Sequence, residues 1–198
     1  MNDAAEAIRA GKAVILPTDT VYGLVASAYT AVAAEKLYRV KGRDAQQPTA
    51  LLAADLDTLF ECVPELRGRA GVIARALLPG PYTLVLPNPA RRYRWITGAD
   101  PHTIGVRVPE LPEPAERILA QVGAVVATSA NLPGGPAPRR IEDIPAEIRE
   151  RVAAIVDAGE LPGVSSTVID FSAAEPRVLR EGAASAAEAI KRVSAALA

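Results

Sequence analysis

The sequence predicts an α/β fold, a single domain built on a twisted, open, mixed sheet with flanking helices. Three observations lead there. Short apolar runs that suit buried strands alternate with amphipathic stretches of helical period. Near the C-terminus strand-like runs follow one another directly, STVIDF before RVLRE, which mixes antiparallel pairing into the sheet. A length of 198 residues with 49% hydrophobic and 23% charged residues fits one full core, and no repeat, heptad array or linker divides it. The expected domain therefore covers residues 1–198, with no additional C-terminal domain.

Ala4 to Ala10 reads as a short helix behind Asn2 and Asp3, stopped by Gly11, and Ala13 to Leu16 as a buried strand. LPTDTVYGLVA continues as loop and strand, and Thr30 is placed to cap a helix whose Ala33, Leu37 and Val40 share one face. That helix delivers the chain to the charged stretch KGRDAQQP, Lys41 to Pro48. TALLA reads as a strand, Asp55 to Val63 and Leu66 to Leu78 as helices, and YTLVLP as a strand after the PGP turn. Asn88 to Pro101 is expected to be irregular. TIGVRVP reads as a strand, EPAERILAQV as a helix and AVVATSAN as a strand ending in a polar loop. After the Gly- and Pro-rich PGGPAPRR, Ile144 to Val152 is expected to be helical and AAIVDAG, STVIDF and RVLRE to be strands. Ser185 with Glu188 forms a capping box before a last helix to about Leu197.

Composition removes several kinds of chemistry. A net charge of -1 gives no overall field to draw in nucleic acid or an anionic membrane, so any anion site must be local. Cys62 and His102 are the only cysteine and histidine, which excludes an internal disulfide, Cys/His zinc spacing, Ser-His or Cys-His catalysis and multi-histidine metal sites. No basic leader precedes an apolar run, and no window approaches the roughly 18 apolar residues of a membrane span. A soluble cytoplasmic protein is expected.

Neither G-x-x-x-x-G-K-[ST] nor a G-x-G-x-x-G after a strand is present. A different regularity appears at strand ends, because in extended chain residues i and i+2 point to the same side. Thr18, Thr20 and Tyr22 are spaced so, as are Lys41 and Arg43, Thr103 and Arg107 at i+4, and Ser129 and Asn131. Each set alone has an ordinary structural explanation: half-buried strand, a helix end that suits cations, a turn cap. Four together describe a site of cations, hydroxyls and an amide, suited to phosphoryl or nucleotidyl transfer, where catalysis is largely positioning and charge neutralisation.

LPTDTVYGL, KGR, TIGVRVP, SAN, GVSSTVID and RVLREGA, in that order and over nearly the whole chain, resemble the YrdC/TsaC-type threonylcarbamoyl-AMP synthases. The resemblance implies a YrdC-like twisted open sheet around a basic cavity, and an enzyme that makes L-threonylcarbamoyl-AMP and pyrophosphate from L-threonine, bicarbonate and ATP with Mg2+. A tRNA threonylcarbamoyl transferase complex would then modify the adenosine next to the anticodon. It further implies Lys41, Arg43, Ser129 and Asn131 as the catalytic set. ATP contacts would add Gln47, Thr103, Ala137 and Arg180; threonine contacts would be Thr20, Tyr22, Leu52, Arg107, Ala127 and Ser166, with Arg107 holding the carboxylate and Ala127 acting through its backbone. Mg2+ would be held by the phosphates, with no protein ligand assigned.

The chain departs from the family pattern at Asp44, where proline is usual, at Gln47 for asparagine, at Leu52 for a frequent histidine, and at Ala137 for serine. Gln47 keeps an amide, whereas Leu52 and Ala137 have no side-chain donor. An acid at Asp44 would oppose ATP unless it points away or helps to hold Mg2+. Other readings stand beside this one: a non-catalytic relative, a related carbamoyl-adenylate enzyme, or an RNA-binding module using RRYRW at Arg91 to Trp95 and the Arg139/Arg140 pair. Direct RNA binding is expected to be weak at most.

Overall fold

The computed structural model describes residues 2–198. Helix α1 (Asn2–Arg9) leads to strand β1 (Val14–Pro17), and a tight turn to β2 (Tyr22–Ser27). Helix α2 (Ala31–Lys41) starts at Thr30, whose hydroxyl accepts from the Ala33 N–H. It ends at Gly42, with φ of 66°, a left-handed conformation that glycine adopts without steric cost. There follow β3 (Ala50–Ala53), α3 (Leu56–Cys62), α4 (Arg69–Leu77), β4 (Tyr82–Pro87), β5 (Thr103–Arg107), α5 (Glu113–Val122) and β6 (Ala124–Ser129). The chain closes with α6 (Ala146–Arg149), β7 (Ala154–Ile155), β8 (Thr167–Asp170), β9 (Arg177–Arg180) and α7 (Ala186–Leu197).

The strands form one open sheet in the order β7-β1-β2-β6-β3-β5-β4-β8-β9. β1/β7, β3/β5 and β4/β8 are parallel and the other neighbours antiparallel, so the sheet is mixed as expected. Side-chain alternation gives the sheet two unlike faces. Leu24, Leu51, Leu84, Val106, Val126 and Ile169 point to one, under Leu37 of α2, Leu59 of α3, Ile73 and Leu77 of α4 and Val193 of α7. On the other, Leu16, Val25, Leu52 and Val125 pack beneath Ile8 of α1 and Ile118 and Leu119 of α5. These two helices leave the rest of that face uncovered, and the cavity described below opens there. Among the described residues no helix is long and apolar enough to cross a membrane.

Three local expectations need correction. Ile144 to Val152 is mostly not helical. A 3-10 turn at Ile141–Asp143 comes first, Asp143 accepting the Arg139 and Arg140 N–H groups, and α6 covers only Ala146–Arg149. AAIVDAG contributes two paired residues, because beyond Ile155 the Asp157 carboxylate takes the Gly159 N–H and the Tyr22 hydroxyl and turns the chain off the sheet. The capping box at Ser185 is half made: its hydroxyl accepts from Glu188 N–H, while Glu181 accepts from Ala186 N–H.

Asn88 to Pro101 is irregular as predicted, organised around buried Asn88. Its side chain donates to the Arg92 and Pro101 carbonyls and accepts from the Arg92 N–H. The Trp95 indole donates to the Ala28 carbonyl, Tyr93 meets it edge-on at 5.8 Å, and Arg92 pairs with Glu65. Arg139 and Arg140 both bind Glu160. Arg92, Tyr93, Trp95, Arg139 and Arg140 of the RNA-binding reading are thus engaged within the protein, while Arg91 and Arg94 are exposed.

Candidate active site

The uncovered face holds a cavity of about 540 Å3, lined by alternate residues of successive strands: Gly23 of β2, Ala127 and Ser129 of β6, Ala50 and Leu52 of β3, Thr103, Gly105 and Arg107 of β5, and Thr83 and Val85 of β4. Registry makes Ala127, Ala50 and Gly105 one row straight across three strands. A floor of such small residues leaves room above it. Around the floor stand Arg43, Arg107, Arg177 and Arg180, with Asp100 and Asp170 as the acids of the lining and Asp19 behind Arg107 as a third, which leaves the cavity a small local excess of positive charge.

Lys41 is the last residue of α2 and is 3% exposed. Its ammonium donates to the Ser129 carbonyl at 2.7 Å, to Asn131 Oδ1 at 2.5 Å and to the Asn131 carbonyl, with Ser129 Oγ at 3.4 Å. Ser129 Oγ donates to Asn131 Oδ1 at 2.6 Å, and Asn131 Nδ2 to the Gly135 carbonyl. The residue spacings K-x-R and S-x-N therefore meet in one hydrogen-bonded cluster although they lie far apart in sequence. Burial, with Arg43 adding to it, lowers the Lys41 ammonium from 10.5 to about 8.

Arg43 follows the left-handed Gly42 and parts company with Lys41, so the i, i+2 rule for extended chain does not hold across this helix end. Its guanidinium donates to the Pro48 carbonyl at 2.6 Å and approaches Thr128 Oγ1 at 3.5 Å, while its Nε is buried without a partner. Asp44 is exposed and turned back on its own loop, accepting the Gln46 N–H at 2.9 Å. It makes no ion pair with Lys41 or Arg43.

Arg107, at the end of β5, is 8% exposed. Its guanidinium donates to Asp19 Oδ1 and to Thr20 Oγ1 at 2.8 Å, and its Nε is the other buried side-chain atom without a partner among the described residues. Burial pushes Asp19 up and Arg107 down, each opposed by the attraction between them. Thr20 owes its place to Thr18, whose hydroxyl accepts the Thr20 and Val21 N–H groups and donates to the Val21 carbonyl.

That turn also breaks the alternation supposed to put Tyr22 beside Thr18 and Thr20. Tyr22 opens β2 on the opposite face, fully buried in the main core, and its hydroxyl shares its one hydrogen between Asp157 Oδ1 at 2.8 Å and the Gly159 carbonyl at 2.7 Å and accepts the Ala158 N–H. It does not line the cavity. At the far strands, Arg180 donates from two nitrogens to the Ser166 carbonyl and from one to Ser166 Oγ, which is 2.9 Å from Thr83 Oγ1. Thr103 donates to Asp100.

Of the residues singled out in the sequence, Arg43, Leu52, Thr103, Arg107, Ala127, Ser129, Ser166 and Arg180 thus line the cavity. Lys41, Thr20 and Asn131 stand behind lining residues; Gln47 is exposed outside it and Ala137 half-buried outside it. Asp19, Thr83, Arg177 and the floor residues Ala50 and Gly105 were missed, whereas Ala127 of the same row was not. YTLVLP did carry a signal for Thr83 in its period of two, but Asp19 sits in a turn where no period applies. Among the described residues no three acids, histidines or cysteines gather to hold a metal ion.

The site is thus a trough on an open mixed α/β sheet, lined by arginines and hydroxyls and free of histidine and thiol. Residues 6–182 match the family model described as "Telomere recombination", that of the Sua5/YciO/YrdC proteins. A threonylcarbamoyl-AMP synthase of Pyrococcus abyssi is 37% identical over 180 residues, covering 90% of this chain and 53% of that protein. The structure of P. abyssi Sua5 complexed with L-threonine superimposes with a TM-score of 0.85 at 36% identity, covering 96% of this chain and 56% of that one. Escherichia coli YciO gives 0.81 at 28% identity, covering 93% and 89% of the two chains. The chain belongs to the Sua5/YciO/YrdC family. It spans about half the length of the P. abyssi relative.

Proposed function

We propose that this protein is an L-threonylcarbamoyl-AMP synthase, condensing L-threonine, bicarbonate and ATP with release of pyrophosphate. The observation that carries the reading is the convergence of Arg43, Ser129, Thr103, Arg107, Ser166 and Arg180 on one cavity, in a chain 37% identical to a protein of that name. The two orphaned Nε donors both belong to arginines of this cavity, where substrate oxygens could relieve the charge concentrated there.

In this reading Arg107 holds the amino acid's carboxylate, and Leu52, its register partner on β3, offers apolar surface beside it. The amine takes up bicarbonate with loss of water to give a carbamate. A carbamate oxygen then attacks the α-phosphate of ATP, forming the mixed anhydride as pyrophosphate leaves. Arg43 stabilises charge on the transferring phosphate, and Lys41 holds Ser129 and Asn131 in place beside it. The carbamate is already anionic, so no side chain is assigned as general base.

Mg2+ would enter on the triphosphate and neutralise part of its charge. The donor set fits that role better than a protein cage, since Asp100 is taken by Thr103 and the His102 N–H, and Asp170 by Ser172 and Arg177. The product would pass to a tRNA threonylcarbamoyl transferase complex.

The test is incubation of the purified protein with ATP, bicarbonate, Mg2+ and each of several amino acids, following pyrophosphate and the adenylate. Threonine-dependent formation of both is expected; its absence would sink the proposal.

A further inference from the structure

The four cavity arginines are not alike. Arg177 pairs with Asp170 and Arg107 with Asp19, whereas Arg43 and Arg180 have no carboxylate within ion-pair distance among the described residues. The Asp19–Arg107 pair is much the more buried: the two side chains are 11% and 10% exposed, against 15% and 74% for Asp170 and Arg177. Asp19 is also fixed from a second side, its Oδ2 accepting the Glu110 N–H at 3.4 Å beyond the end of β5. Asp19 itself does not line the cavity; it stands behind Arg107, which does. Arg180 lines the same cavity as Arg107. Without Asp19, Arg107 would join Arg43 and Arg180 as a cavity arginine with no carboxylate partner among the described residues.

A paired guanidinium and a bare one select different anions. The pair keeps directional N–H donors but has little net charge, so it suits one carboxylate of a zwitterion. A bare or doubled cation attracts a polyphosphate more strongly, because Coulomb attraction scales with the charge of both partners.

Resting on the threonine reading of Arg107 given above, we propose that Asp19 is a positioning and specificity-determining residue. It fixes and neutralises Arg107 so that this part of the cavity accepts the amino acid's carboxylate and rejects polyphosphate, which is left to Arg43 and Arg180. Two anionic substrates can then occupy one cationic cavity without exchanging places.

The experiment is calorimetric titration of threonine into the wild type, Asp19→Asn and Asp19→Glu without ATP, with and without tripolyphosphate. In the wild type threonine binds with an affinity that tripolyphosphate does not change. In Asp19→Asn threonine binds at least about tenfold more weakly, and tripolyphosphate weakens it further in proportion to its concentration. Asp19→Glu, which keeps the charge, stays insensitive to tripolyphosphate even if threonine binds less well. Unaltered threonine affinity in Asp19→Asn overturns the proposal, and so does weakening without competition, which is all that a structural role would give. A wild type that binds tripolyphosphate but no threonine overturns the threonine reading itself and this inference with it. If Asp19→Asn lacks folded far-UV circular dichroism, Asp19→Ser takes its place with the same expected competition.

Discussion

The Lys41 ammonium holds both oxygens of Asn131, the carbonyl and Oδ1, across 90 residues of sequence. It also holds the Ser129 carbonyl, while Ser129 and Asn131 bond each other. The lysine thus fixes the S-x-N loop from behind and does not itself line the cavity.

Lys41→Met should therefore loosen the loop as well as stop the reaction. Turnover is expected to fall by about 10²–10³ if loop donors are misplaced in the transition state, and amide exchange between Ser129 and Gly135 should quicken. Hydrogen–deuterium exchange checks the second point. Lost turnover with unchanged exchange would reassign Lys41 to direct substrate contact.

The same lysine makes a pH prediction. Its value in the fold is about 8 against 10.5 for an unperturbed lysine, so between these values the unfolded chain binds more protons than the folded one. Its contribution destabilises the fold below about pH 8, and that cost is relieved as pH rises through the window towards 10.5. Turnover should move the opposite way, falling above about pH 8 as the ammonium loses a proton needed for the loop oxygens. In Arg43→Gln, where the neighbouring charge is gone, the residual alkaline limb should shift to higher pH. A pH–rate profile of both proteins checks this, and an unmoved limb would assign it to another group.

Arg43→Ala is expected to reduce adenylate formation by about 10²–10³ with little change in fold, because its lost partners are one carbonyl and a long contact to Thr128. Chemical denaturation should place the variant within about 1 kcal/mol of the wild type. Full turnover in a folded Arg43→Ala would show that the phosphate is handled elsewhere.

The strands and long helices were legible because period and caps are local: Thr30 caps the start of α2 where the sequence marks it, and α3 begins behind Asp55 where the helical stretch was read to start. The far-apart pairings were not. Nothing local tells that β6 lies between β2 and β3, and it is this insertion that carries Ser129 to Lys41. Reading i and i+2 as one side worked for Thr103 and Arg107, which share a strand, and failed for Tyr22 and Lys41, each separated from its supposed partner by a turn. Asp19 was invisible for the same reason, since its role comes from a residue 88 positions away.

Tyr22→Phe tests the corrected placement. The hydroxyl secures the Asp157–Gly159 turn from the core side of the sheet, and burial pushes it up to about 12. Its removal should cost about 1 kcal/mol, since the freed partners are exposed and regain water. That would lower Tm by roughly 2–4 °C in a chain of this size. Threonine KM should stay within about twofold, as for a group that makes no substrate contact. A much larger KM change would return Tyr22 to the binding site.

The row Ala127, Ala50, Gly105 predicts that bulk on the cavity floor costs binding and not stability. A Cβ at Gly105 would meet the Thr49 carbonyl oxygen at 3.5 Å, Ala50 Cα at 3.8 Å and Thr83 Cγ2 at 3.9 Å, ordinary contacts that require nothing to move. Valine also suits a strand better than glycine, by about 0.5–1 kcal/mol in backbone terms. Gly105→Val should accordingly keep or raise the melting temperature while its methyl groups occupy space above the floor. Affinity for ATP or threonine is expected to drop by about tenfold or more, as overpacking in a filled site costs 1–3 kcal/mol. Scanning calorimetry and ligand titration on the same preparation separate the two effects. Undiminished affinity for both ligands in a folded variant would mean that the substrates do not rest on this part of the sheet.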